Sequence, residues 1–501
     1  MGLSGAMMAV QGKTLAELGL SARGGVREAR VTGLAVDSRA VRDGFLFAAL
    51  PGSRVHGASF ISYALRQGAG AVLTDPAGAA LAAADLAGAD VALVVVQDAR
   101  AALAQAAALW SGVQPETMVA VTGTNGKTSV ASFTRQIWQV LGHPAINLGT
   151  TGVEGDWAAP AGQTTPEPIT LHRLLADAAW AGITHGAMEA SSHGLDQRRL
   201  DGVRLAAAGF TNLTQDHLDY HATMEGYFAA KLGLFTRLLP EDGVAVVNLD
   251  DPRGPEVARA AQARGCAVLG TGSSLRADLC ILGQRFDATG QEVRFQWNGA
   301  PRQVRLNLVG GFQASNVAVA AGLVLASGED PDAVFAALAR LTTVRGRMQL
   351  VATRRNGAAV YVDYAHTPDA VATALRALRP HVMGRIVIVM GAGGDRDRTK
   401  RPLMGAAAAE WADVVYVTDD NPRSEDPASI RAAILATCPE ATEVADRAEA
   451  ILLGVDALGP GDALLIAGKG HETGQELAGQ IYPFDDAEQA SVAVAALDGV
   501  I

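Results

Sequence analysis

Val119-Ala120-Val121-Thr122-Gly123-Thr124-Asn125-Gly126-Lys127-Thr128-Ser129 is the stretch that decides the fold. The apolar run from Met118 to Val121 reads as a strand, and the turn after it is rich in glycine. Beyond the turn, Val130, Phe133, Ile137 and Leu141 recur at helical spacing. In a strand–turn–helix of this kind Gly123 and Gly126 let the backbone curl, so that several N–H groups face inward beside the positive end of the new helix. Lys127 adds a point charge, and the Thr128 hydroxyl is of a kind that ligates Mg²⁺. The pattern predicts a phosphate cradle. It departs from the full Walker A form, because Val121 stands where that form has its first glycine. An ordinary strand–turn–helix with a chance Gly-Lys-Thr is the competing reading.

The rest of the chain gives this cradle a globular setting. Its 501 residues allow two to four domains. Hydrophobic residues make up 49% and charged residues 19%, which excludes a disordered chain. A net charge of −11 argues against a nucleic-acid surface. Cys266, Cys280 and Cys438 are scattered without Cys-x-x-Cys spacing, so neither a disulfide framework nor a zinc knuckle is expected. No signal-peptide core and no apolar run of membrane-spanning length (~20 residues) is evident, and a cytoplasmic protein without membrane insertion is expected.

Residues 1–110 read as a separate α/β domain with a partly parallel sheet, because short apolar runs alternate with alanine-rich helical segments. Asp37-Ser38-Arg39 follows one such run and suits either a polar ligand or a turn. Residues 111–345 open on the cradle. Glu189, in Met188-Glu189-Ala190-Ser191-Ser192-His193, ends a strand-like run and is placed to hold Mg²⁺. Gln215-Asp216-His217-Leu218-Asp219-Tyr220-His221 is too polar for a buried helix face and reads as a site loop or a solvated one. Lys231 interrupts an apolar helical stretch, and by pattern alone it snorkels to the surface. Gly310-Gly311-Phe312 opens a helix expected to run to Ala326. Residues 346–501 hold four strands that each end in a polar loop, at Asp363, Gly391, Asp419 and Gly468. In doubly wound sheets ligands bind at such carboxyl ends. Gly391-Ala392-Gly393-Gly394-Asp395-Arg396 is not a dinucleotide fingerprint, since Arg396 replaces the third glycine.

Taken together, Gly123-Thr124-Asn125-Gly126-Lys127-Thr128, Glu189-Ala190-Ser191-Ser192-His193, Asp363-Tyr364-Ala365-His366-Thr367-Pro368 and Gly468-Lys469-Gly470-His471-Glu472 resemble the Mur ligases. These are ATP-dependent enzymes that add amino acids to the peptidoglycan precursor. Asp420-Asn421-Pro422-Arg423 resembles the motif of the members that add meso-diaminopimelate as the third residue. The resemblance implies three α/β domains: an N-terminal one for the UDP end of the substrate, a central P-loop ATPase on a parallel sheet, and a C-terminal Rossmann-like one for the amino acid. It implies a monomer, with no nucleic-acid partner, that joins meso-diaminopimelate to UDP-N-acetylmuramoyl-L-alanyl-D-glutamate through an acyl-phosphate.

The resemblance also assigns residues. ATP falls to Gly123, Thr124, Asn125, Gly126, Lys127, Thr128, Ser129, Asn316 and Arg347. Mg²⁺ falls to Thr128, Glu189, His217 and Lys231, the last as a carbamylated lysine, and catalysis to Lys127, Lys231, His217 and Glu189. The UDP-muramoyl-dipeptide falls to Val36, Ser38, Ser53, Arg54, Val55, Thr164, Thr165, Ser191, Gln197 and Arg199, and Gln163 departs from the usual asparagine before the two threonines. Diaminopimelate falls to Arg396, Asp420, Asn421, Pro422, Arg423, Gly468 and Glu472. Arg423 is expected to grip the distal carboxylate as a two-pronged donor, with Asn421 and Glu472 receiving the distal amine. The competing expectations are a lysine-adding relative, a folylpolyglutamate-type ligase, or a nucleotide-binding module without turnover.

Overall fold

A computed structural model describes residues 12–23, 30–52 and 55–500. Three principal sheets follow one another along the chain. The first has four strands, Gly33–Ala35, Phe45–Ala49, Ala71–Thr74 and Ala92–Val95, side by side in chain order. All of its pairings are parallel, where the sequence suggested only a partly parallel sheet.

The second sheet has ten strands and is built outward from the strand Thr117–Thr122. His185–Glu189 and Ala145–Gly149 lie on one side of it, and Ala207–Phe210, Val244–Asn248 and Ala267–Gly272 on the other, all parallel. Two antiparallel hairpins, Leu279–Asp287 with Gly290–Trp297 and then Ala300–Leu306, extend the far edge. The helices Lys127–Val140 and Phe312–Ala326 cover one face. Phe133, Ile137 and Trp138 are fully buried there, each worth about 1.5–3 kcal/mol of apolar burial. Phe312–Ala326 is apolar nearly all round because it lies inside the core, and Gln313 and Asn316 are buried polar residues in its first turns.

The third sheet runs Gln349–Thr353, Ala359–Asp363, Ala463–Ala467, Ile386–Met390, Val414–Val417 and Thr442–Glu443. Only its first pairing is antiparallel. Ile386–Met390 and Ala463–Ala467 are buried on both faces, which explains their unbroken apolar sequence.

The chain passes from the second sheet to the third at Gly346, whose φ is +67°. A Cβ there would lie 2.2 Å from the backbone nitrogen of His471, so only glycine fits. That close approach seats the connection directly against the loop after Ala463–Ala467. The carboxyl ends of the central strands of both sheets thereby meet across one cleft.

Candidate active site

The cradle forms as the sequence predicts, with Lys127 opening its helix immediately after Gly126. Gly126 has φ +86°, and a Cβ on it would lie 2.4 Å from Asn316 Oδ1. A side chain is excluded there. Neighbouring polar groups hold the loop: Asn125 N donates to Asn212 Oδ1 (2.9 Å), and Thr211 Oγ1 donates to the Asn125 carbonyl (2.6 Å). Lys127 Nζ donates to the carbonyls of Gly123 (3.0 Å) and Thr124 (2.8 Å). Burial lowers its pKa, while the nearby Glu189 carboxylate opposes that shift.

Glu189 ends its strand almost wholly buried, at 1% exposure. Its Oε2 accepts from Thr128 Oγ1 (3.1 Å) and its Oε1 from the Thr150 amide (2.8 Å). Lys231 is equally buried and donates to the Gly123 carbonyl (2.6 Å), with its Nζ 4.4 Å from the centre of the Tyr227 ring. This overturns the snorkelling reading from pattern alone. Burial, then the neighbouring Lys127 charge, lowers the Lys231 pKa well below that of a free lysine, which favours a neutral amine. His217 stands at the mouth of the site with 45% of its side chain open and its backbone at φ +53°. The surrounding protein, together with His193, Lys127 and Lys231, lowers its pKa to about 4 against the pull of Asp216. Among the described residues Lys127, Glu189 and Lys231 form no ion pairs with one another, although all three sit in one cavity. The buried Glu189 carboxylate and the Thr128 hydroxyl beside it are hard oxygen donors that fit a dication such as Mg²⁺.

That cavity holds about 460 Å³ and takes in every ATP-site residue expected from sequence except Gly123, whose carbonyl faces the two lysines instead. Arg347 spans the cleft: it donates to Thr128 Oγ1 (3.2 Å) and lies 4.5 Å above the Tyr364 ring. Asp363 is half-buried, and desolvation raises its carboxyl pKa. His366 is held by its Nδ1 on the Tyr364 carbonyl (2.8 Å), and burial lowers its pKa.

A second cavity of about 700 Å³ adjoins the first. The two share Asp216, His217, Tyr364, His366, Thr367 and Asp369. Arg396, Asp420, Asn421, Arg423, Gly468 and Glu472 line the second. Pro422 does not; its carbonyl accepts from the Glu425 amide and shapes the turn. Arg423, at φ +54°, is pinned by backbone hydrogen bonds to the strand Gly474–Leu477. Its Nε pairs with Glu476 (3.1 Å) and its Nη1 donates to the Gly394 carbonyl (2.8 Å). Asn421 Oδ1 already accepts from Lys469 Nζ (2.8 Å) and the Glu476 amide (2.9 Å), and its Nδ2 donates to Glu472 Oε2 (2.8 Å). Asn421 therefore braces the pocket, where the sequence suggested a free acceptor. Arg396 donates only to the Asp395 carbonyl (3.1 Å) and makes no ion pair among the described residues.

Profiles of the Mur ligase family match all three parts of the chain. The catalytic domain profile covers residues 30–111, the middle domain 121–324 and the glutamate ligase domain 346–470. The UDP-N-acetylmuramoyl-L-alanyl-D-glutamate–2,6-diaminopimelate ligase of Caulobacter vibrioides is 50% identical over 477 residues, 94% of this chain and 96% of that protein. The chain belongs to the Mur ligase family. A solved structure of a UDP-N-acetylmuramoyl-L-alanyl-D-glutamate–2,6-diaminopimelate ligase is 32% identical, with a TM-score of 0.71 over 97% of this chain and 99% of that one. A MurF ligase from Thermotoga maritima in complex with ADP shares the fold at 20% identity, with a TM-score of 0.62 over 93% and 98%.

In this Mur ligase the residues expected at the UDP-muramoyl end fall into two groups. Thr164 and Ser191 line the first cavity, and Thr165 lies beneath it, its Oγ1 donating to the Glu189 carbonyl (2.9 Å). Arg199 joins them by donating to the Thr165 carbonyl (2.7 Å), to Gln163 Oε1 (2.6 Å) and to Gln197 Oε1 (2.9 Å). Gln163, the departure from the usual asparagine, thus has a defined partner. Val36, Ser38 and Val55 belong to the N-terminal part and line neither cavity. Ser53 and Arg54 lie outside the described residues. The structure adds Thr150, Asn212 and Lys469, which the motifs did not single out. Lys469 stands inside a quoted motif, and its full burial is the signal that separates it from a surface lysine.

Proposed function

We propose that this ATP-dependent ligase adds meso-diaminopimelate to UDP-N-acetylmuramoyl-L-alanyl-D-glutamate in peptidoglycan synthesis. The reading rests above all on the two adjoining cavities with their shared wall. An acyl-phosphate made in one is within reach of an amine held in the other. ATP occupies the cradle, with the γ-phosphate toward Lys127 and Arg347. A D-glutamyl carboxylate oxygen attacks the γ-phosphorus, the new O–P bond forms, and ADP leaves. Lys127 and the cradle amides hold the charge that gathers on the transferring group. The diaminopimelate amine then attacks the acyl carbon, phosphate departs, and the amine proton passes to a base. His366 suits that role, since burial disfavours its charged form and its Nδ1 is tied to the Tyr364 carbonyl.

The neutral Lys231 amine attacks the carbon of CO₂, an N–C bond forms, one proton leaves, and a carbamate anion results. Mg²⁺, when bound by Thr128, Glu189, His217 and that carbamate, neutralises phosphate charge. Residues 1–110 take the UDP end, with Val36, Ser38, Ser53, Arg54 and Val55. Thr164, Thr165, Ser191, Gln197 and Arg199 take the muramoyl-dipeptide toward the cradle. Residues 111–345 carry ATP, and residues 346–501 carry the amino acid. The enzyme acts as a monomer in the cytoplasm; among the described residues no helix is long and apolar enough to cross a membrane.

The deciding experiment is an amino-acid panel with the UDP-muramoyl-dipeptide and ATP, read by phosphate release. Diaminopimelate should be used at least ~10²-fold better than lysine, because with lysine Arg423 keeps its Glu476 partner but has no distal carboxylate to receive its remaining N–H donors. Equal use of lysine refutes the assignment. For Lys231, the intact mass should exceed the sequence mass by one CO₂, lose it in acid and regain it with bicarbonate.

A further inference from the structure

His143, His185 and Glu329 gather at the opposite end of the central sheet from the cradle. Among the described residues they form the one group of three or more His, Cys, Asp or Glu side chains whose ligand atoms converge, all within 4.8 Å of one another. His143 Nε2 lies 2.8 Å from Glu329 Oε1, and the two imidazole rings face each other with centroids 4.2 Å apart. All three side chains are half-buried, and Trp138 closes one wall, its ring 5.0 Å from that of His185.

Thr184 Oγ1 donates to the Pro144 carbonyl (3.3 Å) and lies 2.8 Å from His185 Nδ1, where its lone pair is placed to accept an Nδ1–H. The Nε2 lone pair is left free to bind a cation, the arrangement that orients metal-bound imidazoles. Two imidazoles and one carboxylate are borderline donors, which favour zinc over the hard ions magnesium and calcium. Zinc bonds of about 2.0–2.1 Å in a tetrahedron set ligand atoms roughly 3.3 Å apart. His143 Nε2 and Glu329 Oε1, 2.8 Å apart, already lie within that spacing, and no pair of ligand atoms is more than 4.8 Å apart.

We propose that His143, His185 and Glu329 form a binding site for a divalent transition-metal ion of the zinc class, with one coordination position left to water. The backbone gives the site its meaning. His143 follows the helix that Lys127 opens, His185 begins the strand that Glu189 ends, and Glu329 follows the helix that carries Asn316. Along that strand the two sites are about 13 Å apart, four steps of ~3.3 Å. An ion would clip together the far ends of the three elements that frame the nucleotide.

The test uses the full-length protein, stripped with chelator and dialysed against ZnCl₂ in excess MgCl₂, with bound zinc counted. Wild type should hold one equivalent more than His143→Ala and Glu329→Gln, and Thr184→Val should weaken that equivalent about tenfold. Cobalt in place of zinc should give intense tetrahedral absorption bands in wild type only, and zinc should raise the Tm of wild type only. Glu329→Gln keeps the shape of the side chain, so its zinc count stands even should His143→Ala fold poorly. Equal zinc in wild type and Glu329→Gln, or no zinc in wild type, overturns the proposal.

Discussion

The two adjoining cavities are built on opposite principles. In the nucleotide cavity Lys127 and Lys231 donate only to carbonyls, and the Glu189 carboxylate accepts only from two hydroxyls and one amide. Charge is gathered there without being cancelled, an arrangement whose chemistry suits phosphates and a dication. In the second cavity the opposite holds: Arg423 pairs with Glu476, and Lys469, Asn421 and Glu472 bond to one another. Shape is fixed before the ligand arrives, and among the described residues Arg396 and Lys400 line this cavity without an ion pair. Catalytic rate should therefore reside in the first cavity and selectivity in the second.

Mutations test that division. Lys127→Ala should cost about 10²–10³ in kcat with the fold intact by circular dichroism, since one transition-state donor is lost. Near-normal turnover would break the comparison at its stronger side. Arg423→Ala should lower kcat/KM for diaminopimelate about 10²-fold and erase its advantage over lysine, while the KM for ATP stays put. A change in ATP affinity would mean that the cavities are not separable. Lys469→Met removes a buried charge-assisted bond from the brace and should raise the KM for diaminopimelate about tenfold at constant kcat. Glu476→Gln loosens an ion pair that is partly open to solvent, and no more than a several-fold rise in that KM is expected, by titration under the same assay.

The order of cradle, strand ends and polar loops was legible because parallel α/β sheets write their strands as apolar runs and their sites as the residues just after. Two classes of feature were less so. The hairpins between Leu279 and Leu306 carry period-two alternation, plain in Val293-Arg294-Phe295-Gln296, yet no motif drew attention to them. Lys231 shows the second class. Periodicity reports which face of a helix is apolar, but the facing surface decides whether a lysine there meets water or a carbonyl. For the same reason the motif around Asn421 was visible while its hydrogen-bond partners were not: a side chain's partners, 48 residues away at Lys469, are set by topology.

Gly346 carries a consequence for how this architecture can be reassembled. The passage between the second and third sheets is seated backbone against backbone on the Gly470-His471 loop, a fit that any side chain would spoil. The connector and the final loop are thus a matched pair, although they lie at opposite ends of the C-terminal portion. A chimera that borrows a relative's C-terminal portion will keep both cavities aligned only if its junction falls before residue 346, so that the pair travels together. One cut just after that position would express two sound halves whose clefts no longer face each other.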